Sequence, residues 1–456
     1  MSREIVEKTC GHFNWVQLGA AAKHPHDGKI HDISEDIAKI TGVEGPSVII
    51  HANSGYGNSN ILRGLMDRYE LDGILHFTDP RYWVWLYQME HEIRQKMPIM
   101  YYNIWDSMPD PKYNRNYYRS CDALFSISKQ TYGINYRVLG ENAVELDLVN
   151  PPTPLPSAGT EPSTLLSYIP HGVDHENKFF PITEDNEPAV SLMQKVKKDI
   201  LGGWEPGFMV FYNARNLRRK MTGDVLLAYN HFLQMLPEDE REQCRIVMHT
   251  APVDDNGTDL PAVINDLVPD VQAIFNNTRV DATILNALYN WADVTINLAS
   301  NEGFGLSTAE SLMAGTPILV NVTGGLQDQC GFVNDGGELL TIEDYTGKWG
   351  SNHDGRYRVS GDWAFPVFPL TRSLNGSPIT PYIFDDRASW QEAGERLLEI
   401  YQLGREERKR RGALGREFAM GPGRFTANQM GEAFIYSIDR LLEVWQPRNR
   451  YTILEV

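Results

Sequence analysis

The chain has 456 residues, of which 42% are apolar and 22% charged, with a formal net charge of −18. That length allows about two to four domains with large cores, while no apolar run reaches the length of a membrane span and no signal-peptide pattern opens the chain. The acidic balance argues against wholesale binding to nucleic acid or anionic lipid and leaves room only for a local basic groove. Cys10, Cys121, Cys244 and Cys330 stand far apart, at neither metal nor disulfide-framework spacing. They are expected to be reduced thiols in a cytoplasmic protein.

Residues 2–8 (SREIVEK) read as a helix. Strand-like runs follow at 12–18, 47–51, 73–78, 99–104, 123–128 and 165–169, with helical patterns at 60–69 and 84–96. Residues 150–162 are rich in proline and polar side chains and read as a loop, and 181–188 (PITEDNEP) as a hinge. Beyond it come a helix at 195–201, a strand at 208–212, a helix at 224–236 and a strand at 245–250. A helix at 281–291, a strand at 294–298, a helix carrying Glu310 and a strand at 317–322 complete the series. This alternation predicts parallel α/β architecture in two similar halves, 1–185 and 186–425, with 426–456 as a final helix and tail. Residues 347–381, rich in Gly, Pro and aromatic side chains, are long for a loop and read as an insertion: a lid, an acceptor surface or a structural flap. The basic run 405–416 (REERKRRGALGR) contains Glu406 and Glu407 and reads as a solvated helix face. Amphipathic helices are predicted at 390–403 and 427–445.

The densest chemistry lies in 301–325, NEGFGLSTAESLMAGTPILVNVTGG. Glu302 and Glu310 can each accept from vicinal hydroxyls. Gly303 and Gly305 let backbone approach a ligand, and Ser307 and Thr308 can cap a helix whose free N–H groups face an anion. Gly303, Phe304, Gly305, Leu306, Ser307, Thr308 and Glu310 are therefore candidate donor-binding residues; the alternative is a surface loop feeding a core helix. Upstream, 213–220 (NARNLRRK) places Arg215 and Lys220 at a strand's carboxyl end, where cations can stabilise a departing diphosphate. Arg218 and Arg219 read as solvent-facing. In 101–111 (YYNIWDSMPDP), Asp106 is a candidate to orient or deprotonate an acceptor hydroxyl, or a turn cap. Gly55 and Gly57 (SGYGNSN) could bring backbone N–H groups to a phosphate or simply make a turn. Asp79, Pro80 and Arg81 form another candidate loop. No Asp-x-Asp stands at a strand end to hold a metal, and Asp254–Asp255 and Asp385–Asp386 read as loop acids.

The 301–325 string, with Arg215 and Lys220 before it, resembles the signature of group 1 glycosyltransferases, also called glycosyltransferase family 4. The resemblance implies a GT-B fold, two Rossmann-like domains facing a central cleft, with the last helix crossing back to the first domain. It implies that Glu302 lies near the donor sugar, that Glu310 binds the ribose, and that Arg215 and Lys220 act on the diphosphate. Residues 168–174 (YIPHGVD) are similar to the family's Ile-Pro-Asn-Gly-Val-Asp, with His171 in place of Asn, so that a charge here could depend on pH. The family's opening strand and glycine-rich loop are missing or replaced, since residues 2–8 already match its first helix. The first half is similar to versions encoded by tailed bacteriophages.

The activity implied is retaining, metal-independent transfer of a sugar from a nucleotide-diphosphate sugar to a hydroxyl, with no bound cofactor and with front-face attack. The acceptor stays open among a glycan, a lipid-linked sugar, a protein, a small molecule or a hydroxymethylated DNA base, the last disfavoured by the charge. A nucleotide-sugar epimerase, a sugar phosphorylase or a non-catalytic sugar-binding module are the alternatives.

Overall fold

The computed structural model describes residues 2–21, 26–145 and 163–448; the loop predicted at 150–162 lies outside the described residues. The chain forms two compact units, one of residues 1–105, 110–172 and 427–456, the other of residues 106–109 and 173–426.

The first unit opens with the helix Ser2–Thr9, followed by β1 (Trp15–Ala21), β2 (Ile30–Asp32) and β3 (Val48–Ser54). β1 starts three residues later than predicted, because the chain still hydrogen-bonds back to the helix at His12 and Phe13. β3 runs parallel to β1 and antiparallel to β2. A parallel sheet follows, built from β4 (Ile74–Phe77), β5 (Ile99–Asn103), β6 (Ala123–Ser126), β7 (Ala143–Glu145) and β8 (Thr164–Tyr168) in the order β4-β5-β6-β8-β7. The helix predicted at 84–96 is broken into Val84–Gln88 and Glu90–Ile93. The long helix Ala427–Val444 belongs to this unit. Its Phe434 meets Tyr102 and Phe125 edge-on at 5.0 and 5.6 Å, and Ser437 bonds Ser167 at 3.1 Å.

The second unit holds a six-stranded parallel sheet of β9 (Phe208–Asn213), β10 (Cys244–His249), β11 (Ala273–Phe275), β12 (Val294–Asn297), β13 (Ile318–Asn321) and β14 (Ala364–Val367). Its order is β11-β10-β9-β12-β13-β14. Phe208, Val210, Ile246, Met248, Val294, Ile296 and Leu319 are fully or almost fully buried, which is why these strands read as continuous apolar runs rather than alternating ones.

Two expectations need correction. Residues 347–381, read as an insertion, are in part built into the sheet. They contain β14, the sheet's edge strand, and β15 (Pro369–Asn375), which pairs antiparallel with β16 (Ile383–Ala388). β-Branched content there is low, so the strand signal was weak. The basic run is not simply solvated either. It lies in the helix Arg405–Met420, where Arg408 is buried against Asp293 at 2.8 Å and stacks over Phe208. Glu407 binds both Arg410 and Arg411. Gly412 lets this helix press on the turn that ends the Glu310 helix: a Cβ there would sit 1.9 Å from the Gly315 carbonyl oxygen.

Candidate active site

In the second unit's sheet, β9 continues outward through β10 and β11, whereas β12 returns to the other side of β9 and continues through β13 and β14. The strand order therefore reverses between β9 and β12. In open parallel sheets the loops leaving the carboxyl ends at such a point diverge and leave a crevice, where ligands bind.

Three loops meet there. Ser300, after β12, donates its N–H to the Arg219 carbonyl, after β9, at 2.8 Å. Gly325, after β13, donates to the Glu302 carbonyl at 2.8 Å. This last contact needs a glycine, since a Cβ at position 325 would stand 2.3 Å from the Gly303 carbonyl oxygen.

The loops enclose one carboxylate. Glu302 is buried; Lys220 contacts its Oε1, Asn297 donates to the same oxygen at 3.2 Å, and Arg219 donates to Oε2 at 3.3 Å. Burial by itself would push this carboxyl up, but the charges of Lys220 and Arg219 and the bonds from Lys220 and Asn297 outweigh it and hold it below its ordinary value. Arg219 also donates to the Asn301 carbonyl at 2.6 Å. Burial lowers its guanidinium's pKa, and the carboxylates of Asp106 and Glu302 more than reverse this. The charge of Asp106 reaches Arg219, its side chain accepts from the Ser107 hydroxyl at 2.8 Å, and residues 106–109 pack as part of the second unit.

The β15–β16 hairpin braces these loops. Asn301 donates to the Phe384 carbonyl at 2.8 Å, and the Phe384 N–H donates to Met108, two residues past Asp106. Asp385 and Asp386, expected in a loop, lie in β16. Asp386 is buried and accepts from Arg372 at 2.6 Å and Thr323 at 2.9 Å.

Other expected residues fall differently. Arg215 is not with Glu302: its side chain is 65% exposed and pairs with Asp254 at 3.0 Å. Arg219, expected to face solvent, takes the inner position instead, although 43% of its side chain remains exposed. Ser307 and Thr308 do not cap their helix, which begins at Leu306 with Gly305 (φ 90°) as its N-cap and no side-chain bond. Thr308 instead donates its hydroxyl to the Gly305 carbonyl at 2.9 Å. Phe304 is buried edge-on against Phe425 at 5.3 Å, as core. Glu310 accepts from the Tyr289 hydroxyl at 2.8 Å, and that hydroxyl accepts from Asn213, the last residue of β9, at 2.8 Å. Asn213, Tyr289 and Asn297 carried no sequence signal, because only the fold brings them to the two glutamates.

In the first unit, Gly55 (φ 78°) and Gly57 (φ 71°) make a left-handed turn around Tyr56, and the following helix is capped by the Asn58 side chain. Asp79 and Arg81 are paired with each other, and Arg81 lies over the Trp105 ring. His171 is buried, and burial pushes its pKa down to about 3, so it is neutral and does not switch near neutrality. The unfolded chain takes up this proton below about 6.5 and the native chain does not, so the stability His171 allows at neutral pH is lost as pH falls from there toward 3. His171→Asn is expected to flatten this acid loss by about 1.4 kcal/mol per pH unit, measured by urea unfolding of both proteins at pH 7.5 and 5. Parallel pH profiles would exclude it.

The reversal point, its convergent loops and two α/β units of this construction are those of the GT-B glycosyltransferases, and that is the fold of this chain. HepE of Anabaena, solved in complex with UDP and glucose, superposes with a TM-score of 0.60 at 12% identity, covering 96% of this chain and 94% of HepE. A glycosyltransferase from Rickettsia africae superposes with a TM-score of 0.56 at 12% identity, covering 95% and 99% of the two chains. In sequence, an uncharacterized glycosyltransferase of Methanocaldococcus jannaschii is 26% identical over 127 residues, a match spanning 28% of this chain and 30% of that relative. No family model matches the chain. Among the described residues no helix is long and apolar enough to cross a membrane.

Proposed function

We propose that this chain is a retaining, metal-independent glycosyltransferase that moves a sugar from a nucleotide-diphosphate sugar, a UDP-sugar such as the UDP-glucose with which HepE has also been solved, to an acceptor hydroxyl. The observation that carries the reading is the Glu302 carboxylate, buried at the reversal point and clamped by Lys220 and Arg219. In this reading Glu302 holds donor sugar hydroxyls and Glu310, oriented by Tyr289, holds the ribose. Lys220 and Arg219 face the diphosphate, with Arg215 as the cation that the family resemblance would put there. The bond between the sugar's anomeric carbon and the phosphate oxygen breaks, and the nucleoside diphosphate leaves with the electron pair. Fixed cations stabilise that growing charge without a divalent ion. The acceptor oxygen bonds to the same face of the anomeric carbon, and its proton passes to Asp106.

The direct test is thermal stabilisation by a panel of nucleotide sugars. At 100 times its dissociation constant, a donor that binds only the folded chain adds about 2.7 kcal/mol of stability. One UDP-sugar is expected to raise the melting temperature, and to be consumed only when acceptor is added. Stabilisation by none of the panel would refute the reading. Donor conversion without acceptor, or dependent on inorganic phosphate, would transfer it to an epimerase or a phosphorylase.

A further inference from the structure

The turn that carries the two inner cations has no core of its own. It leaves β9 at Asn213 and ends in a short helical turn, Arg218–Lys220, in which no residue is buried and whose N-cap makes no side-chain bond. Within it, Leu217 donates its N–H to the Arg215 carbonyl and Lys220 donates to the Leu217 carbonyl, each at 2.8 Å. Long side chains such as Arg219 and Lys220 lose much rotamer freedom when held in one geometry, so the backbone beneath them has to be fixed from outside. Asn216 does this. It is fully buried and so touches no ligand. Its amide nitrogen donates to the Thr258 carbonyl at 2.6 Å and the Ala251 carbonyl at 3.2 Å, and its amide oxygen accepts the Thr258 N–H at 3.1 Å. Donors and acceptor of the amide are thus all engaged, and all on the loop that follows β10. Arg218 adds its N–H to the Asn256 carbonyl at 2.8 Å. Gly257 lies flat on the Asn216 carbonyl, where a Cβ would stand 2.3 Å from the oxygen. The loop is closed on itself by the Gly257 N–H to the Asp254 carbonyl at 2.9 Å and the Asn256 N–H to the Asp254 carboxylate at 3.0 Å. With the Ser300 N–H on the Arg219 carbonyl, the turn is gripped between the loops of β10 and β12, the two strands that flank β9.

We propose that Asn216 is a positioning residue: by docking the loop after β10 onto the turn after β9, it fixes the backbone from which Arg219 and Lys220 reach Glu302. An apolar side chain of the same size would fill the space as well. The amide is required because the loop presents one N–H and two carbonyls to it. Resting on the glycosyltransferase reading, the effect falls on the transfer step. Cations stabilise a departing diphosphate when they are in place before its charge develops, and a displacement of about 1 Å costs about 10²-fold in rate.

The test follows the Glu302 carboxyl by NMR titration of the full chain, isotope-labelled at its glutamate carboxyls, with Glu302→Gln identifying the signal. In the wild type this carboxyl titrates below 4.5. Asn216→Leu, close in shape and without the amide, is expected to move it up by about one pH unit or more as the cations loosen. Gly257→Ala, which presses on the same contact from the loop side, is expected to move it the same way. Leu397→Ala, a change at a fully buried position of the helix Trp390–Gln402, is expected to lower the melting temperature and leave the titration in place. On a UDP-sugar that the wild type turns over, Asn216→Leu is expected to lower kcat about 10²-fold with donor KM changed only a few-fold. An unmoved titration or an unchanged kcat in folded Asn216→Leu would make Asn216 scaffold alone and overturn the proposal, as would an equal shift in Leu397→Ala. Should Asn216→Leu not fold, an unmoved titration in Gly257→Ala overturns it. A wild type that turns over no UDP-sugar counts against the glycosyltransferase reading, while the titration still decides the role of Asn216.

Discussion

Glu302→Gln is expected to lower kcat by about 10²–10³-fold, the loss seen when one preorganised electrostatic group is removed from a transition state, with donor KM changed only a few-fold. Gln keeps the shape and one acceptor oxygen but loses the charge that faces Lys220 and Arg219. Those two cations would then repel each other across a neutral amide, and the sugar would lose an acceptor able to serve two hydroxyls. The measurement is release of nucleoside diphosphate under saturating donor and acceptor, for both proteins, with thermal shift confirming that donor still binds. A variant that turns over at the wild-type rate would remove Glu302 from the chemistry. A wild-type protein that binds donor and never turns it over would make the chain a binding module.

Lys220→Ala is expected to reduce turnover by a similar factor of about 10²–10³ and to destabilise the fold by roughly 3–5 kcal/mol, because it strips a buried carboxylate of its nearest charge. The pH dependence identifies the cause. Glu302 titrates below its ordinary value of 4.5 in the wild type. A depressed carboxyl contributes stability that is fully present above 4.5 and is lost as pH falls through the folded value. The stability gap between wild type and Lys220→Ala should therefore be widest at neutral pH and close on acidification below about 4.5, in denaturant melts across that range. A gap independent of pH would mean that packing, not charge, was lost. Among the arginines, Arg219→Ala is expected to cost more activity than Arg215→Ala, since Arg219 touches Glu302 and Arg215 is spent on Asp254. The reverse order would return the second cation's role to Arg215.

Much of the layout was readable in advance. Strands β5, β9, β12 and β13 are short apolar runs set between helical periods, and the glycines, hydroxyls and glutamates of 301–325 are local features of a loop, a helix and a strand. Such elements depend on neighbours a few residues away, so composition and spacing suffice to place them. Lys220 and Glu302 were legible as separate candidates, one for the diphosphate and one for the donor sugar, because each lies in the loop after a recognisable strand.

What the amino-acid order determined by itself was therefore the sequence of α/β elements and the stretches that carry charge at their ends. The tertiary structure decided which of those charges meet. Spacing alone put Arg215 on the diphosphate and Arg219 in solvent. The turn after β9 and its bond to Ser300 send one to Asp254 and the other to Glu302. Burial silenced His171, a β-hairpin residue 83 positions downstream took Asn301 in hand, and Tyr289 reached Glu310 from another helix. A side chain's partner and protonation are set by atoms close in space and distant in sequence, which no local pattern encodes.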